Sequence, residues 1–328
     1  MDKLDEVLLE GPSDGQLVTL IHGWPDDLHL WDDIVQDLLS TGKFRCLRVT
    51  MPGYGKVNNE KVIDPNFHEV ADLIADVIQH YRRNHQEKSI LMAHDWGSVV
   101  AFNLQRNFEH LISEMIIMDV GPIDLPFRSA LIQGLRVVGM GLYYQWLNML
   151  AYYLWRYIPI VGEPLGNAIH NFEVRRFKQF PDGSVHPRTN LKQSASAAYF
   201  YHYYQANFFL DHFFGFSLRG GNPLPQPPKD PYANPSVPIL FLHGNKRGSL
   251  GRFFASWSNK LNEREDSDVC MLNGDHWFML WSPKETSEVI IKWLDLGPNG
   301  GKLSNDFKKS MLAKGIEKGY PRCLKSKL

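Results

Sequence analysis

The sequence predicts an α/β protein, a mostly parallel, doubly wound sheet with an inserted helical domain. Three observations carry that expectation. Short apolar runs alternate with longer segments of helical spacing from Leu17 to Met118. The alternation stops from about Gly121 to Tyr232, where aromatic residues crowd a mainly helical pattern, and it resumes at Val237. Within the first stretch, Ser89-Ile90-Leu91-Met92-Ala93-His94-Asp95-Trp96-Gly97-Ser98-Val99-Val100 reads as a buried strand, a tight polar turn and the start of a helix.

At 328 residues the chain is long enough for one large α/β domain with an insertion, or for two domains. A formal net charge of -1 gives no reason to expect nucleic acid or a strongly acidic partner. Cys46, Cys270 and Cys323 have neither metal-like nor disulfide-like spacing, so a reducing compartment is expected. Residues Met1 to Glu6 lack the basic segment and apolar core of a secretory signal.

Leu17–Ile21 is the first buried strand, and it delivers His22-Gly23-Trp24-Pro25. Trp31 to Leu39 is amphipathic, with Trp31, Ile34, Leu38 and Leu39 on one face of a helix. Phe44–Val49 is a strand ending in the rigid loop Met51-Pro52-Gly53-Tyr54-Gly55, and Phe67–Tyr81 is a helix. Leu111–Met118 is apolar and ends at Asp119. Reactive groups of such a sheet gather at the carboxyl ends of its strands, where His22, Asp95 and Asp119 all fall.

Residues 121–232 form the predicted insertion, a helical, aromatic-rich cap expected to close over the active site. Within it, Gln145, Asn148 and Arg156 interrupt the apolar segment Gly141 to Ile160, which argues against a spanning helix. A strand from Val237 to His243, a helix from about Leu250 to Leu261 and a last strand from Asp268 to Leu272 complete the core, residues 1–120 and 233–296. A final helix ends near Leu294, its start marked by Ser282 as N-cap, Pro283 in the first turn and Glu285 at the capping-box position. Residues 302–328 are lysine-rich and poor in apolar side chains, and read as a flexible extension. They end in Ser326-Lys327-Leu328, the address read by a peroxisomal import receptor.

Ala93 and Gly97 lie two residues either side of Asp95, the small-x-nucleophile-x-small pattern of a nucleophile elbow. A carboxylate at the apex is ionised at neutral pH and attacks an electrophilic carbon without a base to activate it. The competing interpretation of Asp95 is an ordinary helix N-cap. In an elbow-type hydrolase the His22-Gly23-Trp24-Pro25 loop supplies the Trp24 N–H to an oxyanion hole and Trp96 supplies the other. His276, in Asn273-Gly274-Asp275-His276 after the last strand, stands where such a fold places its general base.

Together, His22-Gly23-Trp24-Pro25, His94-Asp95-Trp96-Gly97 and Gly274-Asp275-His276 resemble the α/β-hydrolase superfamily, and the Asp-Trp pair resembles its epoxide hydrolase branch. The resemblance implies Asp95 as nucleophile, His276 as the base activating water, Trp24 and Trp96 as oxyanion donors, and no metal or organic cofactor. It also implies two cap tyrosines that protonate the opening epoxide oxygen of a small hydrophobic substrate. His202-Tyr203-Tyr204-Gln205 resembles one tyrosine motif and points to Tyr204; Tyr144-Gln145 resembles the other, with Tyr143 as the alternative. The family's usual acid position, three residues after Gly244, holds Arg247. Some relatives, including a branch of the haloalkane dehalogenases, carry the acid one strand earlier, where this chain has Asp119. Two alternatives accompany this reading: a haloalkane dehalogenase-like hydrolase with the same nucleophile, and a degenerate ligand-binding protein.

Overall fold

Seven strands make one sheet: β1 (Glu6–Glu10), β2 (Gln16–Ile21), β3 (Phe44–Thr50), β4 (Ser89–His94), β5 (Ile112–Met118), β6 (Ile239–Gly244) and β7 (Asp268–Leu272). The computed structural model describes residues 4–55, 65–122, 141–177, 194–202, 235–246, 248–297 and 299–318. Tyr204, Arg247 and Ser326-Lys327-Leu328 lie outside the described residues.

The strand order is β1-β3-β2-β4-β5-β6-β7. Every pair is parallel except β1 with β3. β3 and β4 are buried along their whole length, as strands covered on both faces are, and β3 buries Arg45 against Glu87 at 3.0 Å and Arg48 against Asp32 at 2.5 Å. β1 is absent from the sequence expectations: its apolar run, Val7-Leu8-Leu9 between Glu6 and Glu10, is short, and it is ordered by antiparallel pairing at the sheet edge. The order reverses between β2 and β4, so the loops after these two adjacent strands open at the switch point of the sheet.

The helices are α1 (Asp32–Ser40), α2 (Phe67–Tyr81), α3 (Trp96–Asn107), α4 (Gly141–Tyr157), α5 (Pro159–Phe177), α6 (Ala255–Glu263), the single turn α7 (Phe278–Trp281), α8 (Pro283–Leu294) and α9 (Asn305–Lys318). α3 packs on β2, β4 and β5, and α1 packs on β3 and α8. Among the described residues, no helix is long and apolar enough to cross a membrane.

The chain divides into two compact units. One comprises Met1–Met51, His68–Pro122 and Pro235–Leu328; the other comprises Pro52–Phe67 with Ile123–Asn234. The second unit thus takes in a loop that the sequence alone assigns to the core. There the Ser196 hydroxyl donates to the Gly53 carbonyl at 3.0 Å, and the Phe67 ring stacks on Phe200 with centroids 4.6 Å apart. Within the same unit, α4 and α5 pack on each other and bury His170, whose Nδ1 is 2.7 Å from Asn148 Oδ1.

Two local expectations are corrected. Ser282 does occupy the cap position of α8, but its hydroxyl donates to the Asn273 carbonyl at 3.0 Å and makes no capping bond to the first turn. Residues 305–318 are not a flexible extension but the helix α9, packed on β7 and α8. Leu303 and Met311 are buried, and the fully buried Asp268 carboxylate accepts from Lys308 Nζ and, at 2.8 Å, from the Leu303 N–H. One lysine thus closes a buried pair instead of extending into solvent.

Candidate active site

Asp95 links β4 to α3 with φ 53° and ψ −127°, a backbone conformation that a non-glycine residue adopts only under constraint. It holds the N-cap position of α3, yet its side chain makes no capping bond. Its two oxygens face elsewhere. Oδ1 accepts from the Trp24 N–H at 3.0 Å, and Oδ2 lies 3.3 Å from His276 Nε2. This disposes of the simple capping role.

The small residues around the turn are required by the approach of β2. A Cβ on Gly23 would lie 2.4 Å from Asp95 Cβ and 2.7 Å from its Oδ1. A Cβ on Gly97 would lie 2.3 Å from the His22 carbonyl oxygen. His22 is fully buried, and burial holds its pKa below the usual value, so the ring is neutral. Its Nδ1–H donates to the Gly23 carbonyl at 2.8 Å and its Nε2 accepts from the Met51 N–H at 3.0 Å. His22 therefore braces the loop that presents Trp24. Trp96, the residue following Asp95, opens α3.

Asp119 follows β5 with φ 61° and no exposed surface. Its Oδ2 is 2.7 Å from His276 Nδ1 and accepts from the Leu250 N–H at 2.7 Å. Oδ1 accepts from the Ser249 hydroxyl, and from the Gly251 N–H at 3.3 Å. Burial alone would raise this carboxyl. The hydrogen bond and charge of His276, with the bonds from Ser249 and Leu250, hold it below the usual carboxylate range.

His276 sits in the loop between β7 and α7, bridging the two carboxylates. Burial disfavours its charged form, but the hydrogen bonds and charges of Asp119 and Asp95 prevail and raise its pKa to about 10. The two carboxylates favour the imidazolium form. His94, packed beside it with ring centroids 4.4 Å apart, is lowered to about 4 by burial and by the His276 charge. Its Nε2–H donates to the His276 carbonyl at 2.9 Å and steadies the loop without adding a second charge. The Asp95 side chain keeps 14% of its surface exposed, and Asp119 none, so a small molecule can reach only the first.

Asp95, His276, Asp119 and Trp24 thus converge at the carboxyl ends of β2, β4, β5 and β7. Tyr144 belongs to α4 of the second unit: its hydroxyl accepts from Gln145 Nε2 at 3.3 Å, and its ring meets Tyr201 edge-on with centroids 5.6 Å apart. Ser249 and Asp26 carry no role in the sequence reading. Ser249 has no local signal, whereas Asp26, a charge directly after His22-Gly23-Trp24-Pro25, could have been noticed. No cluster of metal-binding side chains occurs among the described residues.

An acid–histidine–acid array thus stands at the carboxyl ends of a mostly parallel sheet. Residues 20–289 match the model of the alpha/beta hydrolase family, and the chain belongs to that family. Epoxide hydrolase 2 of Caenorhabditis elegans is 27% identical over 111 residues, 34% of this chain and 30% of that protein. Epoxide hydrolase B of Mycobacterium tuberculosis is 28% identical over 121 residues, 37% of this chain and 32% of that protein. The matched stretches span about a third of these curated relatives. Among solved structures, epoxide hydrolase VrEH1 from Vigna radiata aligns with TM-score 0.59 at 16% identity, over 89% of this chain and 94% of that one. MenH from S. aureus aligns with TM-score 0.59 at 15% identity, over 88% of this chain and 98% of that one. The structural likenesses establish the alpha/beta hydrolase fold.

Proposed function

We propose that the protein opens a small hydrophobic epoxide to a vicinal diol through an aspartyl ester at Asp95. The observation that carries this reading is the division of labour between the two Asp95 oxygens. Oδ1 already receives the Trp24 N–H, where an ester carbonyl would be polarised, while Oδ2 faces His276.

In the first step Oδ2 forms a bond to a ring carbon as the C–O bond of the epoxide breaks. The ring oxygen takes a proton through Tyr144 and Tyr204, the tyrosines implied by the family resemblance, and the imidazolium of His276 makes that proton good. Esterification removes the Asp95 charge, one of the two partners that raise the His276 pKa. The ring is then neutral, as a base must be. In the second step His276, oriented by Asp119, takes a proton from water as the hydroxide adds to the Asp95 carboxyl carbon. Trp24 and Trp96 N–H groups hold the oxyanion, each contributing on the order of 3 kcal/mol. Collapse releases the diol and restores the carboxylate–imidazolium pair.

Asp119, 2.7 Å from His276 Nδ1, supports the catalytic reading over the degenerate alternative, since it offers a carboxylate where the usual acid position holds Arg247. Peroxisomal import through Ser326-Lys327-Leu328 remains part of the proposal, tested by masking the terminus with a tag and following localisation. The catalytic reading is tested by a panel of aliphatic and aromatic epoxides beside haloalkanes, assayed with the wild type and Asp95→Asn. Diol formation by the wild type only, without halide release, supports it. Halide release, or no turnover of either class, rejects it.

A further inference from the structure

Asp26 and Trp277 are absent from the chemistry above, yet they join its two halves. Asp26 lies two residues beyond Trp24, and its N–H donates to the Gly23 carbonyl at 2.9 Å, which ties it to the turn presenting the Trp24 amide. Trp277 directly follows His276, and its own N–H donates to Asp275 Oδ1 at 2.9 Å. Across 251 positions of sequence, the Trp277 indole N–H donates to Asp26 Oδ2 at 2.9 Å. Both side chains are buried, Asp26 to 7% exposure and Trp277 to 5%, so the bond is sheltered from competing water.

We infer that Asp26 and Trp277 are positioning residues for the hydrolytic half of the reaction, an inference that rests on the aspartyl-ester reading. Ester formation needs an Asp95 oxygen and a proton for the ring oxygen, and makes little demand on the distance between the Trp24 amide and His276. Ester hydrolysis needs both at once on one carbon: the amide at the carbonyl oxygen and the imidazole behind the attacking water. The indole–carboxylate bond fixes that separation. Losing it lets the oxyanion loop and the base loop drift independently, and a displacement near 1 Å costs on the order of a hundredfold in rate.

The test is rapid-quench mass spectrometry of the enzyme with styrene oxide, resolving ester formation from ester decay. The variants are Trp277→Phe, which keeps an aromatic ring but removes the donor, Asp26→Ala, and Asp26→Asn, whose amide oxygen still accepts. The expected result is ester formation within about threefold of wild type, and decay slowed roughly ten- to a hundredfold in Trp277→Phe and Asp26→Ala. Asp26→Asn restores decay, and the Trp277→Phe/Asp26→Ala double variant is no slower than its slower parent. Formation and decay falling together, Asp26→Asn behaving like Asp26→Ala, or single effects that multiply would overturn the inference. If Asp26→Ala does not fold, Trp277→Phe alone and combined with Asp26→Asn gives the same comparison. A wild type that turns styrene oxide over without any ester removes the aspartyl-ester reading and this inference with it; ester in the wild type with uniform slowing in the variants removes only the inference.

Discussion

His276 Nδ1 lies 2.7 Å from Asp119 Oδ2, although 157 positions of sequence separate them. The carboxylate is fully buried and receives further donors from Ser249, Leu250 and Gly251, so both its charge and its direction are fixed before any substrate arrives. Asp119→Asn keeps the shape but presents an amide to Nδ1, which favours the wrong tautomer. Turnover is expected to fall on the order of 10⁴-fold, by analogy with the same change in a serine protease triad. Ester should accumulate, and steady-state kinetics with intact-mass analysis checks both.

The titration of His276 predicts an alkaline loss of stability. Its pKa is raised to about 10 in the fold against 6.5 for the ordinary group, so the stabilisation is complete below pH 6.5 and disappears as pH rises through 10. Calorimetric Tm values should fall from pH 7 to pH 10, and His276→Gln should flatten that fall.

Histidines held neutral add to the acid limb, beside the depressed Asp119 carboxyl. Burial lowers His94 to about 4, helped by the His276 charge, and lowers His170 to about 3. The unfolded chain binds more protons at these sites, so stability drops as pH falls below 6.5. His170→Gln should reduce the drop in Tm between pH 6.5 and pH 4.

Gly23→Ala tests the approach of β2 to the elbow. With a Cβ 2.4 Å from Asp95 Cβ, either the Trp24 loop or Asp95 must move. Overpacking of this kind costs about 1–3 kcal/mol, and the displaced amide should lower kcat by roughly a hundredfold. Urea denaturation and the epoxide assay measure the two effects.

Lys308→Met probes the docked terminal helix. It removes a donor from the fully buried Asp268 while the Leu303 N–H stays in place. A loss of about 1–3 kcal/mol is expected, read by denaturant melts, with kcat unchanged.

What could be seen in the sequence follows from how local each determinant is. The strand–turn–helix around Asp95 is legible because its small flanking residues and apolar runs are contiguous. The parallel strands are legible for the same reason. Asp119 is legible as a strand-end residue, but its role as the orienting acid comes only by resemblance, since that role depends on a histidine that the fold brings from a distant strand end. Ser249 gives no signal, because its hydroxyl matters solely through that meeting. α9 was obscured by its lysines, although Leu303, Phe307 and Met311 recur every four residues and mark one helical face. β1 was hidden because an edge strand borrows its order from its neighbour.

The central claim is that Asp95 itself becomes esterified. A single turnover of excess enzyme with epoxide in ¹⁸O-water, followed by peptide mass spectrometry, tests it most directly. Label is expected in the Asp95 carboxylate and none in the first diol released; label in that diol, with an unlabelled Asp95, would contradict esterification of Asp95.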